Sequence, residues 1–148
     1  MNRVIDRRER VYRVFKAFLS EFVRYLNDRS EEGWAILVEG QRDSRALRKL
    51  GYGGQVVTVS LLGRSGPWAL KGAMKVIILT DLDSEGASLA SKYAKKLGRE
   101  GVVTSLSERK WLKAASRGVF LHIENLGRFA KADDLEWNGV SGGLYGVG

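Results

Sequence analysis

Val76-Ile77-Ile78-Leu79-Thr80-Asp81-Leu82-Asp83-Ser84-Glu85-Gly86 is the stretch that decides the fold. A short run that is apolar at every position and ends in acids reads as a buried parallel strand carrying carboxylates at its carboxyl end. A second stretch, Ile36-Leu37-Val38-Glu39-Gly40-Gln41-Arg42-Asp43, repeats the pattern. Side by side, two such strands bring Glu39, Asp43, Asp81, Asp83 and Glu85 to one edge of a sheet. Clustered carboxylates repel one another unless a cation is present, so the arrangement reads as a divalent metal site.

Working outward, apolar and helical patterns alternate. Residues 3–27 form an amphipathic helix on paper, with Val4, Val11, Phe15, Phe18, Phe22, Val23 and Leu26 on one face and arginines on the other. Ser30–Gly33 is a turn and Trp34–Glu39 the first strand. A helix runs from Asp43 to Leu50, closed by Gly51. Gln55–Leu61 is a second strand, followed by a Gly63–Pro67 loop and a short helix ending near Gly72. Lys75–Thr80 is the third strand, Ser84–Leu97 a helix closed by Gly98, and Val102–Leu106 the fourth strand. Ser107 caps another helix, with Trp111 and Leu112 buried, and Val119–Glu124 is a fifth strand or extended segment. Trp34 also reads as core. His122, the single histidine, falls on that last strand and reads as packed or half-buried. This order predicts an α/β domain: a mainly parallel sheet of four to five strands in a three-layer sandwich, with helices on both faces. The expected organisation is an N-terminal helix over 1–30, the α/β domain over 31–139 and a Gly-rich flexible tail over 140–148.

The chain has 148 residues, 44% hydrophobic and 28% charged, which suits one globular domain with a real core. No apolar stretch is long enough to cross a bilayer, and the basic N-terminus lacks a signal-peptide core, so a cytoplasmic protein is expected. Zero cysteines exclude disulfides, thiolate zinc sites and cysteine nucleophiles. No P-loop, dinucleotide-binding glycine motif or nucleophile elbow is present. The net charge is +8, and the excess lies at the flanks. Lys92, Lys95, Lys96, Arg99, Arg109, Lys110, Lys113 and Arg117 face only Glu100 and Glu108 in their segment. A basic surface around an acidic centre suits a polyanion acted on through a metal; a solvated basic face explains the charge equally well.

The motif pair Glu39-Gly40-Gln41-Arg42-Asp43 and Asp81-Leu82-Asp83-Ser84-Glu85-Gly86 resembles the Toprim domain of topoisomerases, bacterial-type primases, recombination-mediator proteins and some nucleases. The resemblance covers roughly residues 34–106. It is nearest to small stand-alone archaeal Toprim proteins and to the bacterial ribonuclease that matures 5S ribosomal RNA, with Ile123-Glu124-Asn125 as a third, short match. The resemblance implies that Asp81 and Asp83 hold Mg²⁺, with Mn²⁺ as a substitute, and that Glu39 completes the site or acts as general acid or base. Glu85 stands where some members carry a further ligand, and Asp43 supports Glu39 from one helical turn away. Both also open helices, where acids are favoured by the dipole alone. Gly40 and Gly86 allow tight turns or close backbone approach.

Arg42, Arg64, Lys71, Lys92 and Lys96 are the candidate nucleic-acid contacts, with Lys75 a lesser one; Arg64 is equally readable as a solvated loop residue. Trp68 is a minor candidate for stacking on a base. The expected function is an Mg²⁺-dependent nuclease on structured RNA, ahead of DNA, as monomer or homodimer and away from membranes. The alternative is a non-catalytic nucleic-acid-binding module working with a ribonucleoprotein or protein partner. A transferase or strand-passage role ranks last, because no tyrosine stands in a recognisable nucleophile context.

Overall fold

The computed structural model describes residues 6–130. Helix α1 (Arg7–Glu31) opens with the Asp6 side chain accepting the Glu9 N–H at 2.8 Å, which satisfies one of the unpaired donors of the first turn. Its buried residues, Val11, Phe15, Leu19, Phe22, Val23 and Leu26, keep the three-and-four spacing of one helical face. The helix runs through Ser30 and Glu31, where the sequence predicts a turn. The chain reverses only at Gly33, whose φ of 96° a glycine accepts without strain.

Four strands follow: β1 (Trp34–Val38), β2 (Val56–Thr58), β3 (Lys75–Ile78) and β4 (Val103–Ser105), all parallel, in the order β2-β1-β3-β4. Between them lie α2 (Gln41–Lys49), α3 (Val59–Ser65) with a 3₁₀ turn over Gly66–Leu70, and α4 (Ser84–Arg99). After β4 come α5 (Ser107–Ser116) and a second 3₁₀ turn, Ile123–Gly127. Alternate residues of the strands feed two cores. Ile36, Val38, Ile77 and Leu79 pack with α1, Leu47 of α2, Leu112 of α5, Ile123, Leu126 and Phe129. Leu37, Val57, Val76 and Ile78 pack with Leu62 of α3, Leu70, and Ala90, Tyr93 and Leu97 of α4. The result is a three-layer, Rossmann-like α/β sandwich.

Several expected bounds shift. The second strand shortens to Val56–Thr58, because the Thr58 side chain accepts the Leu61 N–H at 3.1 Å and caps a helix at once. Arg64 therefore sits in the last turn of α3 and not in a loop. Helix α4 passes Gly98, and the positive φ falls at Gly101. No fifth strand forms at 119–124 among the described residues. That segment lies across the carboxyl edge of the sheet and enters the turn Ile123–Gly127. Trp111 is not core: it is 46% exposed, with its ring edge against Tyr25. Trp34 is half-buried, packed against the first core, with the Lys75 ammonium 5.5 Å from its ring. The Gly-rich tail from 140 falls outside the described residues. No helix among the described residues is long and apolar enough to cross a membrane.

Helix α1 also seals the site-bearing segment. The Phe15 ring, fully buried, stacks on Phe120 at 5.0 Å and meets Phe129 edge-on at 5.2 Å. Truncation to Phe15→Ala removes a large buried ring from between three elements. It should lower unfolding free energy by about 3–5 kcal/mol in a urea titration, whereas Val14→Ala, at an exposed position of the same helix, should change it little.

Candidate metal centre at the carboxyl edge of the sheet

β1 and β3 are hydrogen-bonded neighbours, with Leu37 opposite Ile78. Yet β1 leads to α2 in one outer layer and β3 to α4 in the other. The chain parts between them, and a crevice opens outside their carboxyl ends, where α/β sheets of this kind hold ligands. Glu39 leaves β1 into this crevice; Asp81 and Asp83 leave β3 into it.

Each acid is held by main-chain donors. Glu39 Oε2 accepts the Asp81 N–H at 2.9 Å. Asp81 Oδ1 accepts the Ile123 N–H at 2.9 Å, and Asp81 Oδ2 lies 3.2 Å from His122 Nδ1. Asp83 caps α4, its Oδ1 accepting the Gly86 N–H at 2.8 Å. Gly86 is required here, because a Cβ on it would collide with the Asp81 carbonyl. The Thr80 hydroxyl, fully buried, donates to the Gly86 carbonyl at 2.7 Å and closes the turn. Ligand atoms of Asp81, Asp83 and His122 all lie within 4.8 Å of one another.

The positive charge under this loop is Arg109 of α5. Only 8% exposed, it donates from Nη2 to the Asp81 carbonyl at 2.5 Å and the Asp83 carbonyl at 3.2 Å. Its Nε donates to Thr80 and Asp81 carbonyls at 3.3 and 3.2 Å. Burial lowers the Arg109 guanidinium from its usual value, against the charges of Asp83, Asp81 and Glu39, which raise it. In the sequence Arg109 is one of a run of surface-like cations, and no signal there separates it from its neighbours.

The acids feel one another. Burial raises the Glu39 carboxyl above the usual range; the Asp81 N–H opposes this, and the charges of Asp81, Asp83 and Glu85 add to it. Asp43 is buried, and burial raises it to about 6 despite the Gly40 N–H that its Oδ2 accepts at 3.1 Å. Gly40 itself adopts extended backbone, and a Cβ there would meet nothing. Glu85 is exposed in the first turn of α4, and its charge reaches Glu39. The His122 imidazole is held above its usual value, chiefly by its hydrogen bond to Asp81. It is not on a strand, as the sequence suggests, but half-exposed at the mouth of the crevice. Being the only histidine was its one available signal.

The candidate phosphate-holding cations scatter. Arg42, exposed in the first turn of α2, pairs with Glu124 at 3.8 Å, beside the acids. Lys92 and Lys96 lie one turn apart on α4, each over the Tyr93 ring at 5.7 and 5.8 Å. Lys75 begins β3, at the opposite edge from the acids, and Lys71 lies in the segment leading to it.

A UPF0292 protein of Pyrococcus abyssi is 34% identical over 116 residues, covering 78% of this chain and 83% of that protein. The chain belongs to the UPF0292 family. A UPF0292 protein of Archaeoglobus fulgidus is 29% identical over 115 residues and is covered to 90% of its length. A solved structure of a protein from Aquifex aeolicus superposes with a TM-score of 0.58 at 28% identity, over 72% of this chain and 96% of that one. No protein-family model matches the chain. These findings correct the Toprim assignment suggested by the acidic motifs: the relatives place the chain in UPF0292. Short acidic motifs after parallel strands are what the carboxyl edge of any such sheet can present, so they do not single out one family.

Two measurements probe this site in the UPF0292 protein. Arg109→Met keeps the length of the side chain but leaves the Thr80, Asp81 and Asp83 carbonyls without their donor. It should cost about 3 kcal/mol of unfolding free energy, read by denaturant titration. Asp43, raised in the folded state, favours folding fully below its unfolded value of 3.8 and loses that contribution as pH rises through about 6. Asp43→Asn should therefore gain stability relative to wild type between pH 4 and pH 7.5, by about 2 kcal/mol. A difference that stays flat with pH would show that Asp43 does not titrate this way.

Proposed function

We propose that this UPF0292 protein is a divalent-metal-dependent phosphodiester hydrolase acting on structured nucleic acid, RNA ahead of DNA. The observation that carries the reading is the meeting of Asp81, Asp83 and His122 within 4.8 Å, with Glu39 alongside, at the point where the two sides of the sheet part. The donor set fits a divalent ion: two carboxylates lie at ligand spacing, and their mutual repulsion with Glu39 would be relieved by a cation. Asp81 and Asp83 would hold it, with Mg²⁺ as the first candidate. When bound, such an ion neutralises charge developing on the phosphoryl oxygens and acidifies a water.

The remaining roles fall to the chain itself. Glu39 is fixed through Oε2 by the Asp81 N–H, and we assign proton transfer to Oε1. A carboxyl raised by burial and neighbouring acids is better suited to give and take a proton near neutral pH than an ordinary one. Arg109 keeps the Asp81–Asp83 loop in one shape through its carbonyls. Arg42, at the rim, would meet a phosphate in exchange for its exposed partner Glu124. The net charge of +8 would draw a polyanion to the crevice, and a nucleic-acid substrate with no cysteine in the chain suits a cytoplasmic setting.

One observation favours a second reading, a nucleic-acid-binding module without cleavage. Both Asp81 oxygens already have partners, in the Ile123 N–H and the His122 ring. The two readings part in one experiment: end-labelled structured RNA and DNA are incubated with Mg²⁺, with Mn²⁺ or with chelator. Metal-dependent cleavage by the wild type, reduced about a hundredfold or more in Asp81→Asn and Glu39→Gln, is expected. Salt-sensitive binding that ignores chelator, with no product in any lane, would replace the hydrolase with the binding module.

A further inference from the structure

The histidine is the part of this site that the acidic motifs do not foretell. Its backbone is pinned on both sides. The Leu82 N–H donates to the Leu121 carbonyl at 2.7 Å, and the Ile123 N–H donates to Asp81 Oδ1 at 2.9 Å. These two bonds already tie the 121–123 segment to the Asp81 loop. The imidazole is not needed as a further tie, yet its Nδ1 is aimed at Asp81 Oδ2, 3.2 Å away. Glu39, the third acid of the crevice, is turned instead to the Asp81 N–H.

The spacing has a meaning for coordination. Two ligand atoms each about 2.1 Å from one ion and at right angles to each other stand about 3 Å apart. Ligands on opposite sides stand about 4.2 Å apart by the same bond lengths. The 3.2 Å between Nδ1 and Oδ2 matches the first, and the 4.8 Å within which one ligand atom from each of the three residues falls leaves room for the second after a small adjustment. The set is therefore one nitrogen and two oxygens, not oxygens alone.

We infer that His122 is the third protein ligand of the Asp81–Asp83 centre, and that its nitrogen tilts the centre from Mg²⁺ toward first-row transition ions such as Mn²⁺. This rests on the metal reading given above. Mg²⁺ takes oxygen ligands and parts with its waters reluctantly, whereas an imidazole lone pair adds affinity for transition ions. On the hydrogen-bond reading Nδ1 carries a proton toward Asp81. On binding, Nδ1 releases that proton to solvent while Nε2 keeps its own, or takes one from solvent if it had none. A neutral imidazole then turns its freed Nδ1 lone pair to the ion.

The chain has one histidine, so an imidazole nitrogen bound to Mn²⁺ has a single source. Untagged protein loaded with Mn²⁺ is examined by pulsed EPR for ¹⁴N coupling. Mn²⁺ and Mg²⁺ affinities are measured by competition for wild type, His122→Gln and Asp83→Asn. The expected result is imidazole ¹⁴N coupling in the wild type and tighter Mn²⁺ than Mg²⁺ binding. His122→Gln should lose the coupling and about tenfold or more of its Mn²⁺ affinity while Mg²⁺ binding changes little. Bound Mn²⁺ without ¹⁴N coupling, or equal losses for both ions in His122→Gln, would overturn the assignment and leave the carboxylate site standing. Wild type that binds neither ion, or Asp83→Asn that binds each ion as tightly as wild type does, would overturn the metal reading itself and this inference with it. The presence or absence of ¹⁴N coupling in the wild type decides the assignment by itself, so a poorly folded variant does not blunt the test.

Discussion

Carboxylates gathered at one edge of a sheet stay together only if donors and positive charge face them. In this protein that compensation is supplied by backbone N–H groups and one buried guanidinium. Asp81 lends its N–H to Glu39, Gly86 lends its own to Asp83, and Ile123 lends its own to Asp81. Arg109 lies beneath, bonded not to the carboxylates but to the carbonyls of the loop that carries them. The arrangement fixes the backbone while leaving much of the carboxylate charge unneutralised. Burial is the main cause that raises Glu39, and the charges of Asp81, Asp83 and Glu85 add to it.

The same constraint explains why the last part of the chain takes the path it does. A segment read as a fifth strand would lengthen the sheet beyond β4 or β2. Instead residues 121–123 bond to the Asp81–Asp83 loop, and the following turn packs on α2, where Gly127 comes close to Ala46. Helix α1 holds this from outside through Phe15, Phe120 and Phe129. A helix remote from the acids in sequence thus fixes one wall of their crevice, and stability and site geometry are linked through a cluster of aromatic rings.

The acids were legible because their positions follow from strand direction. Once Val76–Leu79 and Ile36–Val38 read as parallel strands, Glu39, Asp81 and Asp83 had to arrive together, and they do. The family was not legible: two short motifs record the demands of a sheet edge, and the UPF0292 relationship came from similarity along most of the chain. Arg109 was hidden because a single buried arginine in an amphipathic helix looks like the solvated lysines beside it. His122 was misplaced because apolar alternation over Val119–Glu124 imitates a strand, while the hydrogen bonds that bend the segment come from a loop far away in sequence.

Local pattern therefore determined the layer order, the parallel sheet and the edge at which the acids collect, since periodicity and strand polarity are properties of neighbouring residues. Tertiary structure alone decided which cation sits under the acids, which ring stands beside them and where the chain after α5 runs. Those choices depend on groups distant in sequence competing for the same few carbonyls and N–H donors, and such competition leaves no periodic mark in the chain.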